Sequence, residues 1–200
     1  MTFNRFKKLF RTTLTNPRQA GAEVIAMGLP MQGLWIALLL MAVLLSLLFS
    51  ALFHTRPLPP GQLGEMVRMS PAYQSPLFFA FLNWGQAVIS VFVLHWIGRT
   101  LGGRGELADM LAVMIWLQAV SLVLAVVLFT AGLIVPIIGS LALLLAFFWG
   151  MWATVGLVDA ANRFNNILKA AVVCVAAFVA LSVGMAVFSA VVGGLAMRGG

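Results

Sequence analysis

Five apolar runs, each long enough to cross a bilayer, constrain this chain more than any other feature. A helix needs about 20 residues to span the hydrocarbon core, and such runs occur at about 32–53, 77–98, 107–131, 135–157 and 167–195. They take up most of the 200 residues, leaving little chain for a soluble domain. Hydrophobic residues make up 62% of the sequence and charged residues 8%, more apolar surface than a water-soluble domain of this size can hide. Lipid is therefore the solvent. The expected fold is all-α, a polytopic membrane helical bundle of about five transmembrane helices with a short amphipathic N-terminal helix. Residues 1–31 read as a basic N-terminal segment, 32–195 as the five-helix domain and 196–200 as a short tail.

The third and fourth runs meet at Gly132 to Pro136, where Pro136 disfavours helix at Val135. A tight hairpin is expected there, because one helix over 107–157 would far exceed a bilayer. An odd span count places the termini on opposite sides, and the distribution of Lys and Arg decides which is which. Nine cations (Arg5, Lys7, Lys8, Arg11, Arg18, Arg99, Arg104, Arg163 and Lys169) fall on one side, and three (Arg56, Arg68 and Arg198) on the other. The N-terminus is expected in the cytoplasm and the C-terminus outside, in an integral protein of the bacterial inner membrane.

The start, MTFNRFKKLFRTTLTNP, lacks the short apolar core and small-residue cleavage site of a secretory signal. At helical spacing, Phe3, Phe6, Phe10 and Leu14 share one narrow arc, with Arg5, Lys8 and Arg11 on the other side. A helix lying on the leaflet is expected, with Arg5, Lys7, Lys8 and Arg11 against anionic lipid headgroups. Asn16-Pro17 has the form of an N-cap and first-turn proline opening a second helix to about Met27, ended by Gly28 and Pro30. The loop from His54 to Pro76 carries five prolines and is expected to be irregular, with a turn or two of helix near Gln62 to Met69.

The formal charge of +7 does not indicate nucleic acid, since the cations are scattered among polar gaps; anionic lipid is the expected counter-charge. Cys174 is the only cysteine, so no internal disulfide and no Cys-based metal motif exist. His54 and His95 lie far apart in the chain, and no zincin, P-loop or nucleophile-elbow spacing occurs. The chain reads as a non-enzyme without cofactors.

Polar residues inside the spans need partners. Asn83 and Gln86 sit in the second span, Gln118 and Ser121 in the third, and a rise of 1.5 Å per residue puts Gln86 and Gln118 both roughly 16–18 Å deep. An interhelical amide hydrogen bond is the plainer expectation, and a polar path of a small transporter or channel the competing one. Ala176, Ala180 and Gly184, then Ala186, Ala190 and Gly194, permit close helix packing. Trp35, Trp149 and Trp152 read as packing and interface anchors. The turn at 98–110, with Arg99, Gly102, Gly103, Arg104 and Gly105, reads as a flexible, helix-capped surface turn, with Glu106 and Asp109 in the first turn of the next helix. With Asp159, Asn162, Arg163, Asn165 and Asn166 it could build one composite surface, and docking of a cytosolic partner at the turn is the sharper expectation; a homo-oligomer or an unidentified membrane protein partner is the other expected association.

Asn16-Pro17-Arg18, the Leu101 to Gly105 turn and the Phe164 to Ala170 entry to the last span, in this order within a five-span layout, resemble the Yip (Ypt/Rab-interacting protein) family, particularly its bacterial members. The resemblance implies a cytoplasmic N-terminus, a helical Yip-type bundle and a role in membrane organisation or trafficking. It departs in one respect: about 30 residues precede the first span, where eukaryotic relatives have a long acidic or polar region. Rab-type GTPase binding is therefore not carried over.

Overall fold

The structure, a computed structural model, describes residues 3–55, 58, 60–134 and 136–198, and the side chains of these except at 133–140, 143 and 188–198. Val135, Arg56, Pro57 and Pro59 lie outside the described residues, so the expected break at Val135 and the placement of Arg56 do too. The described residues form helices α1 (Phe3–Thr15), α2 (Pro17–Ile25), α3 (Met31–Thr55), α4 (Gln62–Met69), α5 (Pro71–Gln74), α6 (Pro76–Thr100), α7 (Leu107–Ile134), α8 (Pro136–Asn162) and α9 (Ile167–Arg198), with no strand among them. Five of these, α3 and α6 to α9, have the length and apolarity to cross a membrane. The five runs of the sequence are thus five helices of an all-α transmembrane bundle.

In cross-section the spans close a ring in the order α3, α6, α9, α8, α7, with α7 and α8 the most extensively packed pair. Inside it, Leu34, Leu38, Val91, Leu94, Leu111, Val113, Val120, Leu157, Val158 and Val173 are buried together. Ile36, Phe81, Trp96, Phe147, Phe148 and Phe178 face outward and are largely exposed, as lipid-facing positions must be. Burial against lipid gains little over burial against protein, so the interior is selected by shape; small residues such as Ala42, Ala87, Ala153 and Ala177 bring backbones close.

The packed stripe on α9 is Ala170, Val173 and Ala177, one residue in register from the expected Ala176, Ala180 and Gly184. Ala180 and Ala186 are exposed, and a Cβ on Gly184 would meet nothing within 4 Å. The side chains of Ala190 and Gly194 lie outside those described. Both faces are small enough to pack, and only the neighbours determine which one does.

The connection after α3 is more helical than its prolines suggest. Pro71 and Pro76 take the first positions of α5 and α6, where a missing N–H costs nothing. His54 stacks flat on Tyr73, ring centroids 4.4 Å apart, holding α5 against the end of α3.

The N-terminal helices belong to the same core as the spans. Asn16 caps α2 by accepting from the Gln19 N–H at 3.1 Å, with Pro17 at the first position. α2 lies along the last turns of α8, so tightly that a Cβ on Gly21 would be 2.8 Å from Ala160 Cβ. α1 turns its Leu9 and Thr13 fully inward. The Trp116 indole N–H of α7 donates to Thr13 Oγ1 at 2.8 Å, and Phe6 meets the same indole edge-on. α1 thus buries Leu9 and Thr13 and covers part of Phe6, while Phe3 stays exposed and Phe10 and Leu14 are half-buried. α7 and α8 rise about 42 and 40 Å, against a hydrocarbon core of about 30 Å. The surplus leaves projecting ends for α2 to pack along, with α1 beside them as the rest of a collar.

Candidate functional site

The two polar turns and the start of α2 converge at the basic end of the bundle, where four chain segments are braced together. α6 ends with Gly102 in the left-handed region (φ 86°), its N–H donating to the Arg99 carbonyl and that of Gly103 to Gly98 O. This double bond is the Schellman stop, which needs a residue tolerant of positive φ. Arg104 N–H then donates to Asn162 O at 3.0 Å, joining this turn to the end of α8. The expected flexible hinge is thus a packed crossing, because Gly103 and Gly105 are buried. A Cβ on Gly105 would penetrate the Ala161 carbonyl, and one on Gly98 or Gly103 would strike the Asn162 amide.

α8 ends in the same manner but with Arg163 as its left-handed residue (φ 57°): Arg163 N–H bonds Ala160 O and Phe164 N–H bonds Asp159 O. Arginine at that position costs about 1 kcal/mol relative to glycine. What its side chain gains is a 3.0 Å ion pair with Asp109 on α7. Asp109 in turn caps its own helix by accepting from the Glu106 N–H.

Asp159 is the centre of the arrangement. Only 1% of its side chain is exposed, and a buried carboxylate needs a cation and donors. Arg18 of α2 supplies Nε at 3.0 Å, and the Asn166 N–H donates to the other oxygen at 3.0 Å. Arg18 also donates to the Asn165 side chain. Asn166 caps α9 by accepting from Leu168 and Lys169 N–H groups. One carboxylate therefore ties α2, α8 and α9. Arg18 and Arg163 remain half exposed and border an open cleft of about 610 Å³ between α2 and the α8–α9 turn, lined also by Asn16, Gln19, Asp159 and Asn165. The composite surface expected from the two turns is assembled with α2 as a third component. The Arg18 contact had no signal in the sequence, where Arg163, four residues on, was the nearer cation for Asp159.

Arg99 and Arg104 are exposed on the same face, and Arg5, Lys7, Lys8 and Arg11 along α1. Within the spans, Asn83 donates to Ser46 of α3 at 3.1 Å. Gln86 and Gln118 do not hydrogen-bond one another: Gln86 is exposed on the outer face, and Gln118 Oε1 is buried with no partner among the described residues. Ser121 is half-buried one turn beyond Gln118. Equal depth allowed the contact, but helix rotation denies it. Trp35 stacks on Phe92, Trp152 faces outward, and the Trp149 indole N–H is buried unpaired. Because an unpaired buried acceptor is a cost, Gln118→Leu is expected to leave the thermal midpoint in detergent unchanged or raise it. A fall of several degrees would mean that the amide has a partner it needs.

Fold and site together define a five-span helical membrane protein with a cross-braced polar collar at one end. The model for the Yip1 domain matches residues 11–188, and the chain belongs to that family. The match takes in α2, all the bracing residues named above and most of the last span. No curated protein and no solved structure gives a match.

Proposed function

We propose that this chain is a non-enzymatic scaffold of the bacterial inner membrane, with its N-terminus and braced collar in the cytoplasm and its C-terminus outside, and that the collar docks a membrane protein partner or a second copy of the chain. The reading is carried by the cross-bracing of α2, the 98–107 turn and the 162–167 turn through Asp159, Arg18, Arg163 and Asp109. Three ordered segments, one of them holding two left-handed non-glycine residues, Arg163 and Asn165, are a large investment in the shape of an exposed surface. The cleft beside them offers unused N–H groups of two arginines and the amides of Asn16 and Gln19, next to Ala22, Ile25 and Ala26. That combination suits a polar loop carrying an acidic side chain. Orientation is supported by the concentration of cations at this end.

The test is a photocrosslinking residue at Gln19, on the cleft, compared with one at lipid-facing Phe178, in native membranes. The Gln19 position is expected to give one discrete protein adduct, or a homodimer recognised with a second tagged copy, while Phe178 gives lipid adducts. Protein adducts absent at Gln19, or the same at both positions, would refute the docking role.

A further inference from the structure

α1 carries a second feature, on the side turned away from the bundle. Taking Lys7 as the origin, 100° per residue places Lys7, Arg11, Asn4, Thr15, Lys8 and Thr12 on one arc of about 140°. These six residues line a groove of about 460 Å³. The buried Leu9 and Thr13, and Phe6 against Trp116, occupy the opposite side. Glu23 is the first acidic residue of the chain, and among the described residues no carboxylate pairs with Lys7, Lys8 or Arg11. The ion pairs among the described residues each join Arg18, Arg68 or Arg163 to an acid. The Thr12 and Thr15 hydroxyls donate to Lys8 O and Arg11 O within the helix, so the donors left to the groove are the three cations and the Asn4 amide.

We propose that this groove is a binding site for the phosphate of an anionic glycerophospholipid headgroup. A lipid is favoured over a soluble phosphate by position. α1 is anchored to Trp116, about 14 Å along α7 from Leu107, at least as deep as the roughly 12 Å by which that helix exceeds the hydrocarbon core, which holds α1 level with the headgroups. Phe3, the most exposed aromatic residue of the helix at 79%, extends apolar surface beside the groove. With Leu9, Thr13 and Phe6 engaged by the bundle, α1 is fixed in place and lipid is held through its headgroup at one site. The inference does not depend on a protein partner docking at the neighbouring cleft.

The experiment uses the full-length protein in detergent micelles doped with equal amounts of cardiolipin and phosphatidylcholine, with retained lipids counted by native mass spectrometry. Wild type is expected to retain cardiolipin preferentially, and the combined variant Lys7→Gln, Lys8→Gln, Arg11→Gln to lose that preference by about tenfold or more. Arg5→Gln removes a like charge from the same helix outside the groove and is expected to leave the preference unchanged, where diffuse attraction would cost about twofold per charge. The charge-conserving combination Lys7→Arg, Lys8→Arg, Arg11→Lys should retain the preference, which separates a lost site from a lost fold. An unchanged preference in the triple glutamine variant would overturn the proposal. So would a loss in Arg5→Gln proportional to its charge, which indicates diffuse attraction, or displacement of cardiolipin by millimolar inorganic phosphate, which indicates a free-phosphate site.

Discussion

Asp159→Leu is expected to destabilise the protein by about 3 kcal/mol and to lower its thermal midpoint in detergent by about 5–10 °C. The change removes the acceptor of the Asn166 N–H and the partner of Arg18 Nε, both at 3.0 Å. It leaves a cation and the entry of α9 without their common tie. Loss of one partner of a fully buried pair costs about 3–5 kcal/mol. The lower end applies because Arg18 is 50% exposed and can hydrate once freed. Asp159→Asn retains an acceptor oxygen but not the charge, and should cost about 1 kcal/mol. The same variants should differ in how readily α2 separates from α8: trypsin is expected to cut after Arg18 faster in the leucine variant than in wild type. A wild-type midpoint and cleavage rate in Asp159→Leu would show that the collar is held by apolar contacts and that the bracing is incidental.

Gly105→Ala should cost about 2–3 kcal/mol although it adds a single methyl group to a surface turn. The new Cβ would overlap the Ala161 carbonyl oxygen, lie 2.8 Å from its carbon and 3.3 Å from Asn162 Cα. All three are backbone atoms at the end of a transmembrane helix, so relief requires moving α7 relative to α8, the most extensively packed pair. Gly102→Ala is the control within the same turn. It is strained by its φ of 86° but meets nothing within 4 Å, so it should cost about 1 kcal/mol. Thermal unfolding of the two variants under one condition distinguishes them. Equal losses would mean that the glycines serve backbone conformation alone and that the two helices do not approach as closely as described.

Much of the architecture was legible because a bilayer reduces the options available to a chain. With no water to satisfy backbone groups, an apolar run of about 20 residues must be a helix, and so Met31–Thr55, Pro76–Thr100 and the three later spans begin and end within a few residues of the runs that announce them. Local capping was legible in part. Asn16 before Pro17 depends on residues next to each other in the chain, whose geometry needs no tertiary information, whereas Gly102, read as part of a flexible turn, proved to be a helix stop.

Rotation and partnership were not legible, for one physical reason. The spans are apolar on all sides, so their sequence carries almost no signal of which face turns inward. Depth could be counted and placed Gln86 level with Gln118, yet Gln86 turned outward, and Asn83 found Ser46. The same ambiguity put the packed face of α9 at Ala170, Val173 and Ala177 in place of its neighbouring stripe. On α1 the segregation of aromatic from basic residues was correct, but that Leu9 and Thr13 would be its buried positions depended on the indole of Trp116, roughly a hundred residues away. By itself the sequence determined five helices, their ends and the cap of α2, since these follow from neighbours along the chain and from the solvent. Only the tertiary structure decided that Asp159 would meet Arg18, that Gly105 would sit against Ala161 and that α1 would join the bundle, because each of these contacts depends on how helices of nearly featureless apolarity are turned toward one another.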